Sequence, residues 1–161
     1  MTQESANSTL KRLGSFFRAR HAAAVGLDYP RLQALVRNGT VERVGWGLYG
    51  RTDAEPTENH SLALVCARVP NSVVCLVSAL QVHGLGTRVP AEVWLAVPHK
   101  ARAPRMHEVK LRLVRFSGPA WTYGIQPVQF EGVDGRITNP ARTEQYGARK
   151  LSPVLAYRQD W

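Results

Sequence analysis

Two cysteines, Cys66 and Cys75, are all that 161 residues contain, too few to staple a chain of this size. That excludes a disulfide-built secreted scaffold and fits a reducing compartment, so a cytoplasmic location is expected. Long hydrophobic runs are missing too. The longest apolar stretch without a charge lies within Val69 to Thr87 and is interrupted by Pro70, Asn71, Gln81 and His83, which makes it too polar and too broken to span a bilayer. Met1 to Leu10 is polar, with no cationic stretch leading into an apolar core, and predicts no secretory signal. The sequence also lacks the patterns on which catalysis rests. No glycine-rich loop is placed to cradle a phosphate and no carboxylate pair is clustered to hold metal ions. No elbow glycines surround Cys75 or Ser78, and the gaps between His60, Cys66, Cys75 and His83 match no compact zinc site. No catalytic residue, metal ligand or cofactor is therefore expected, and the chain is expected not to be an enzyme.

Acidic residues are scarce: 12 Asp and Glu stand against 21 Lys and Arg, for a net charge of +9. A basic surface favours a polyanionic partner, because phosphate contacts release condensed counterions. The charge is segmented. Residues 1–52 hold eight Lys or Arg against Glu4, Asp28 and Glu42, a net of +5, whereas residues 53–90 are at −1. Residues 91–118 return to +4 and residues 119–161 are nearly balanced at +1. With 44% hydrophobic residues, 13 Gly and 10 Pro, the composition is that of a folded chain rather than a disordered or collagen-like one.

Ser8 or Thr9 can cap a first helix with Leu10, Leu13 and Phe17 on one face. A second short helix runs over His21 to Val25 and is closed by Gly26. Asp28 is a good N-cap for a third, with Pro30 in its first turn, Leu32, Leu35 and Val36 as the buried stripe, and Asn38 with Gly39 as its end. Val41 to Tyr49 alternates around Gly45, Trp46 and Gly47 and predicts a β-hairpin. Three short helices followed by such a hairpin predict a winged helix-turn-helix over residues 1–52.

The acidic, Pro56-containing stretch at 53–59 predicts a linker, and residues 60–161 a small mixed α+β domain, so the expected class is α+β. In that domain Leu62, Val65, Cys66 and Val69 form a helical stripe. Val73 to Val77 predicts a strand, and Ser78 caps a helix through His83 that Gly84 and Gly86 end. Glu92 to Val97 predicts a strand buried on both faces. Val109, Leu111 and Leu113 alternate with Lys110 and Arg112, which predicts one dry and one basic wet face. Val128 and Phe130 mark another strand, followed by a turn at Gly132, Asp134 and Gly135.

Placing Leu32, Leu35 and Val36 inward turns Gln33, Ala34 and Arg37 outward on the third helix, flanked by Tyr29 and Arg31. Arginine can bond the O6 and N7 of guanine, glutamine the N6 and N7 of adenine, and a helix N-terminus can receive a phosphate. In the hairpin, Arg43, Trp46 and Arg51 are in reach of a backbone or minor groove. The candidate DNA-binding residues are thus Tyr29, Arg31, Gln33, Arg37, Arg43 and Trp46. A second basic contact is expected from Lys100, Arg102, Arg105, Lys110 and Arg112, in a stretch from His99 to Arg115 expected to be a loop, which meets nucleic acid, an acidic partner or only solvent. The alternative from another class is a non-enzymatic interaction module that uses the winged fold to hold a protein.

Four phrases occur in order: Val-Glu-Arg-Val-Gly-Trp-Gly-Leu-Tyr at 41–49, Leu-Val-Ser-Ala-Leu-Gln-Val-His-Gly-Leu at 76–85, Val-Trp-Leu-Ala-Val-Pro at 93–98 and Asn-Pro-Ala-Arg-Thr at 139–143. Together they resemble the AbiEi family of antitoxins from type IV toxin–antitoxin systems, over about residue 10 to Thr143. The resemblance implies a transcriptional autorepressor whose winged helix binds double-stranded operator DNA through Tyr29 to Arg37 and Arg43 to Trp46. It implies that the following α+β domain counteracts a nucleotidyltransferase-like toxin. The family continues beyond the last phrase with an acidic helix and further helices. Residues 144–161, with Pro153 and weak periodicity, depart from that, so the C-terminal part is expected to be incomplete or divergent.

Overall fold

The computed structural model describes residues 3–86 and 90–148; the departure expected after Glu144 lies mostly outside them. The chain is α+β, with one three-stranded and one five-stranded sheet among the described residues, and divides into two compact units.

Unit 1 comprises residues up to Arg68 together with the short segment Gln129–Asp134. Its elements are α1 (Gln3–Lys11), β1 (Phe16–Arg18), α2 (Ala19–Ala24), α3 (Tyr29–Arg37), β2 (Val41–Gly45), β3 (Leu48–Arg51) and α4 (His60–Arg68). Helix α3 starts where the sequence predicts: Asp28 caps it by accepting the Arg31 amide at 3.1 Å, and Asn38 ends it. Its stripe enters a core of Leu10, Phe17, Ala22, Leu27, Leu32, Leu35, Val41 and Tyr49. The hairpin forms as expected, with Val41 opposite Arg51 and a bulge between Arg43 and Gly45.

The first helix differs from expectation. It begins near Gln3 rather than at Ser8 or Thr9, and the Thr9 hydroxyl donates back to the Ser5 carbonyl from inside it. Phe17 lies in β1, antiparallel to β3 and opposite Tyr49, on which its ring stacks with centroids 6.0 Å apart. Such a cross-strand aromatic pair stabilises a third strand, and its local sequence is too short to carry a period of its own. The two units do not divide at the expected 53–59 linker: α4, which follows that stretch, groups with unit 1. The Phe16 and His60 rings lie 5.1 Å apart, and the Arg18 guanidinium donates to the Ala67 carbonyl.

Unit 2 contains β4 (Val73–Val74), α5 (Leu76–Val82), β5 (Val93–Pro98), β6 (Leu111–Phe116), β7 (Ile125–Phe130), β8 (Val133–Thr138) and α6 (Pro140–Ala148), the 129–134 turn excepted. The strand order is β6-β5-β4-β8-β7, with β5 antiparallel to β4 and parallel to β6, and β8 parallel to β4. Strand β4 is shorter than predicted because α5 starts early, with Cys75 at its N-cap. Ser78 is not the cap: it is buried inside α5, where its Oγ accepts the Trp94 amide at 2.8 Å. The turn before β8 is at Glu131 and Gly132, and Asp134 and Gly135 are strand residues.

The phase of β6 is also corrected. Its buried residues are Val114 and Phe116, the face that Arg112 shares, whereas Leu111 and Leu113 are only half-buried. Arg112 tolerates that face because its guanidinium pairs with Glu92 and lies over the Trp94 ring at 5.5 Å. The phrase at 139–143 has a structural account. The Asn139 side chain caps α6 by accepting the Arg142 amide, and Pro140 opens the helix, where no donor is needed. The buried Arg142 guanidinium donates to the Ala120 and Tyr123 carbonyls and covers the Phe116 ring at 4.5 Å. Thr143 bonds back to Asn139.

Candidate nucleic-acid interface

With Leu32 and Leu35 buried, α3 turns Tyr29, Arg31, Ala34 and Arg37 to solvent, and Tyr29 is 68% exposed. Asp28 is the one acidic residue at this helix, and its carboxylate is engaged by the helix amide. That carboxylate takes one of the first-turn amides that a phosphate on the α3 N-terminus would use. Arg31 is partly committed, since its Nη1 donates to the Gly26 carbonyl at 3.1 Å. Arg37 makes no hydrogen bond or ion pair among the described residues.

Gln33 is not an outward residue. It is half-buried, and its Nε2 donates to the Tyr49 hydroxyl at 3.3 Å, so it ties α3 to the hairpin. The Tyr49 residue is buried, and a buried hydroxyl takes a partner from the protein where one is in reach.

At the hairpin tip Trp46 is 87% exposed, and the Arg43 guanidinium lies 5.5 Å from its ring centroid while Nε donates to the Gly45 carbonyl. A single exposed indole is ordinary on a protein surface, but its flat apolar face and polar N–H make it a side chain suited to contact. Arg51, at the far end of β3, pairs with Asp53 and is thereby neutralised.

No family model matches this chain, and no curated protein matches it.

Two arginines that the charge count treats as surface cations brace the hairpin from behind. Arg18 donates to the Trp46 carbonyl at 3.1 Å, and Arg68 to the Val44 carbonyl at 2.6 Å. Charged donors to backbone carbonyls are strong and directional, so the tip is held in one position. Arg68 sits on a helix that the sequence places in another domain, and no local pattern marks either residue for this role.

A second polar centre of unit 1 lies at Glu131. Its side chain is 4% exposed and accepts from the Ser15 hydroxyl at 2.7 Å, the Thr57 amide and hydroxyl at 3.0 and 2.8 Å, and His60 Nδ1 at 2.9 Å. Burial by itself raises the carboxyl, but the bonds from His60, Ser15 and Thr57 outweigh it and hold the group down at about 2. The serine bonds the carboxylate rather than the imidazole, so this is not the geometry of an activated nucleophile. Burial pushes the Cys66 and Cys75 thiols up to about 12, which leaves them as protonated core residues at neutral pH. Among the described residues no three His, Cys, Asp or Glu side chains come together in a metal-binding group, and no helix is long and apolar enough to cross a membrane.

In unit 2 the expected basic block separates into two parts. Lys110 and Arg112 both pair with Glu92, at 3.3 and 2.6 Å, and so are not unpaired cations. Lys100, Arg102 and Arg105 are exposed on the 99–110 loop and have no hydrogen bond or ion pair among the described residues. Arg115, expected in the loop, is a β6 residue.

Proposed function

We propose that unit 1 is a winged helix-turn-helix and that the chain is a sequence-specific, non-enzymatic DNA-binding repressor of its own transcription. The observation that carries this is the pairing of an acid-free outer face on α3, with Tyr29, Arg31 and Arg37 exposed, and an adjoining braced hairpin that ends in the exposed Trp46 beside Arg43. A helix with arginine on its outer face suits a major groove, and an arginine and aromatic hairpin tip suits the neighbouring backbone or minor groove. The net charge of +5 on residues 1–52, which hold α3 and the hairpin, supports binding to a polyanion.

The phrases at 76–85 and 139–143, which resemble those of AbiEi antitoxins, extend the proposal. Unit 2 counteracts a nucleotidyltransferase-like toxin, and the whole acts in the cytoplasm. Chemistry in unit 2 has no part in this reading.

The test is binding of the full chain to the DNA upstream of its own reading frame, measured against an unrelated duplex between about 50 and 200 mM salt. The expected result is a preference for the upstream DNA together with a steep fall of affinity with salt. Equal binding to both duplexes would remove the operator, and affinity insensitive to salt would remove the groove-and-backbone contact. The reading frame next to this one is expected to encode a nucleotidyltransferase-like protein, and co-expression with it, scored as growth, tests the antitoxin role.

A further inference from the structure

The 99–110 loop of unit 2 joins two adjacent parallel strands, β5 and β6, without a helix between them. Such crossovers normally carry a helix; here the twelve residues from His99 to Lys110 make the connection, and no regular element forms in them. A loop of this kind would ordinarily be loose. This one is tethered at its root: Arg115, on β6, directs a single nitrogen, Nη1, at the carbonyls of Pro98, His99 and Ala101, at 3.1, 3.1 and 2.5 Å. At the other end Lys110 is drawn to Glu92. Between the two anchors, Lys100, Arg102 and Arg105 are exposed, and Pro104 stiffens the chain between the last two.

We infer that this loop is a second nucleic-acid contact, in which Lys100, Arg102 and Arg105 grip the phosphodiester backbone of double-stranded DNA without reading its bases, and that Arg115 is the positioning residue that holds it. The side chains presented decide between partners. Besides those three cations, the exposed residues of the 99–108 stretch are His99, Ala103, His107 and Glu108; its one large apolar side chain, Met106, is half-buried, and it holds no Phe, Tyr or Trp. A protein interface needs such anchors at its centre, where charge is depleted. A phosphate backbone needs only cations, and arginine meets it with two parallel donors. A tethered loop also loses less freedom on binding than a free one. Glu92 is taken by Lys110 and Arg112, and Glu108, the acidic residue within the loop, leaves its three cations in excess. The contact is independent of α3, and its failure is separable from failure of the operator reading.

The experiment measures affinity of the full chain for an unrelated duplex and for its own upstream DNA, as a function of salt, for the wild type, the triple variant Lys100→Ala, Arg102→Ala, Arg105→Ala, and Arg115→Lys. The triple variant should bind both duplexes roughly tenfold or more weakly at about 0.1 M salt, with a log–log slope shallower by about 2 to 3 and the preference for upstream DNA retained. Arg115→Lys keeps the charge but not the planar fork, so it should weaken both duplexes with the slope unchanged. A triple variant with wild-type affinity and slope overturns the inference and leaves the operator reading intact. A triple variant that weakens both duplexes in a protein with no preference for upstream DNA upholds the inference and removes the operator. An unchanged duplex affinity combined with lost binding to an acidic peptide would make the partner a protein and overturn it.

Discussion

Gln33 and Tyr49 join the third helix to the hairpin: the amide nitrogen of one donates to the hydroxyl of the other at 3.3 Å. That bond removes the side chain expected to read adenine from the outer face of α3 and leaves Arg37 as its unengaged arginine among the described residues. The division of labour can be measured. Arg37→Ala should cost about 1 to 3 kcal/mol of operator binding and relax preference at one position, with guanine the expected base. Gln33→Ala should leave base preference alone and lower stability by about 1 kcal/mol, the net worth of one hydrogen bond. Leu35→Ala, in the buried stripe, should destabilise unit 1 by about 2 to 5 kcal/mol. A shift of base preference in Gln33→Ala would show that the bond opens on binding and that Gln33 reads DNA after all.

The hairpin tip separates binding from stability in a different way. Trp46 is almost wholly in solvent, so Trp46→Ala should change thermal stability by no more than about 0.5 kcal/mol while lowering affinity for duplex DNA. Arg68 donates to Val44 from behind the tip, so Arg68→Ala should also lower affinity, with the indole still present. Measuring both variants by thermal melting and by DNA titration checks the account; a Trp46→Ala protein that binds DNA as the wild type does would leave the indole without a role there.

Much of unit 1 was legible because its signals are local. Asp28, Pro30 and Asn38 bound α3 by chemistry that acts within a turn of the helix, and Gly45, Trp46 and Gly47 fix the hairpin in the same way. Strand β1 was not, since so short a strand carries no period and its partner begins only at Leu48. The phase of β6 misled for a related reason: alternation gives a period of two but not which face is dry, and Arg112 is on the dry face because Glu92 and Trp94, from outside β6, receive it. In the candidate site the exposed Tyr29, Arg37 and Trp46 follow from helix and hairpin periodicity. The engagement of Gln33, Lys110 and Arg112, and the bracing by Arg18 and Arg68, depend on contacts that no window of sequence contains.

Gly14 and Gly132 meet backbone to backbone within unit 1. A Cβ on Gly132 would stand 2.8 Å from the Gly14 Cα, and one on Gly14 would stand 2.8 Å from the Gly132 carbonyl carbon and oxygen. Both residues also have positive φ, +75° and +79°, a conformation that costs a residue with a Cβ about 1 to 3 kcal/mol before any clash. Gly14→Ala and Gly132→Ala should each destabilise unit 1 by at least that amount. The contrast is Gly39→Ala: φ is +82° there, but nothing lies within 4 Å, so only the backbone cost applies. Denaturant unfolding of the three variants should rank Gly39→Ala mildest, and equal losses would show that the close approach adds nothing.

Glu131 ties the same turn to Ser15, Thr57 and His60, and it makes the acid stability of unit 1 a measurable consequence. The carboxyl lies at about 2 in the folded chain, against an ordinary value of 4.5. A group depressed on folding contributes its stability in full above its unfolded value, and the contribution drains as pH falls from about 4.5 toward 2, because the unfolded chain takes up the proton first. Glu131→Gln keeps the shape but cannot titrate, and it leaves donors that faced a carboxylate facing a partly donating amide. At neutral pH it should therefore cost about 1 to 3 kcal/mol. Its deficit relative to the wild type should shrink as pH falls below 4.5, since the wild type loses what the variant never had. Thermal melts of the two proteins at matched ionic strength from about pH 7 to about pH 3 make the comparison, with other carboxylates cancelling in the difference. A deficit that stays constant across that range would mean that Glu131 titrates normally and that its donors do not hold its charge.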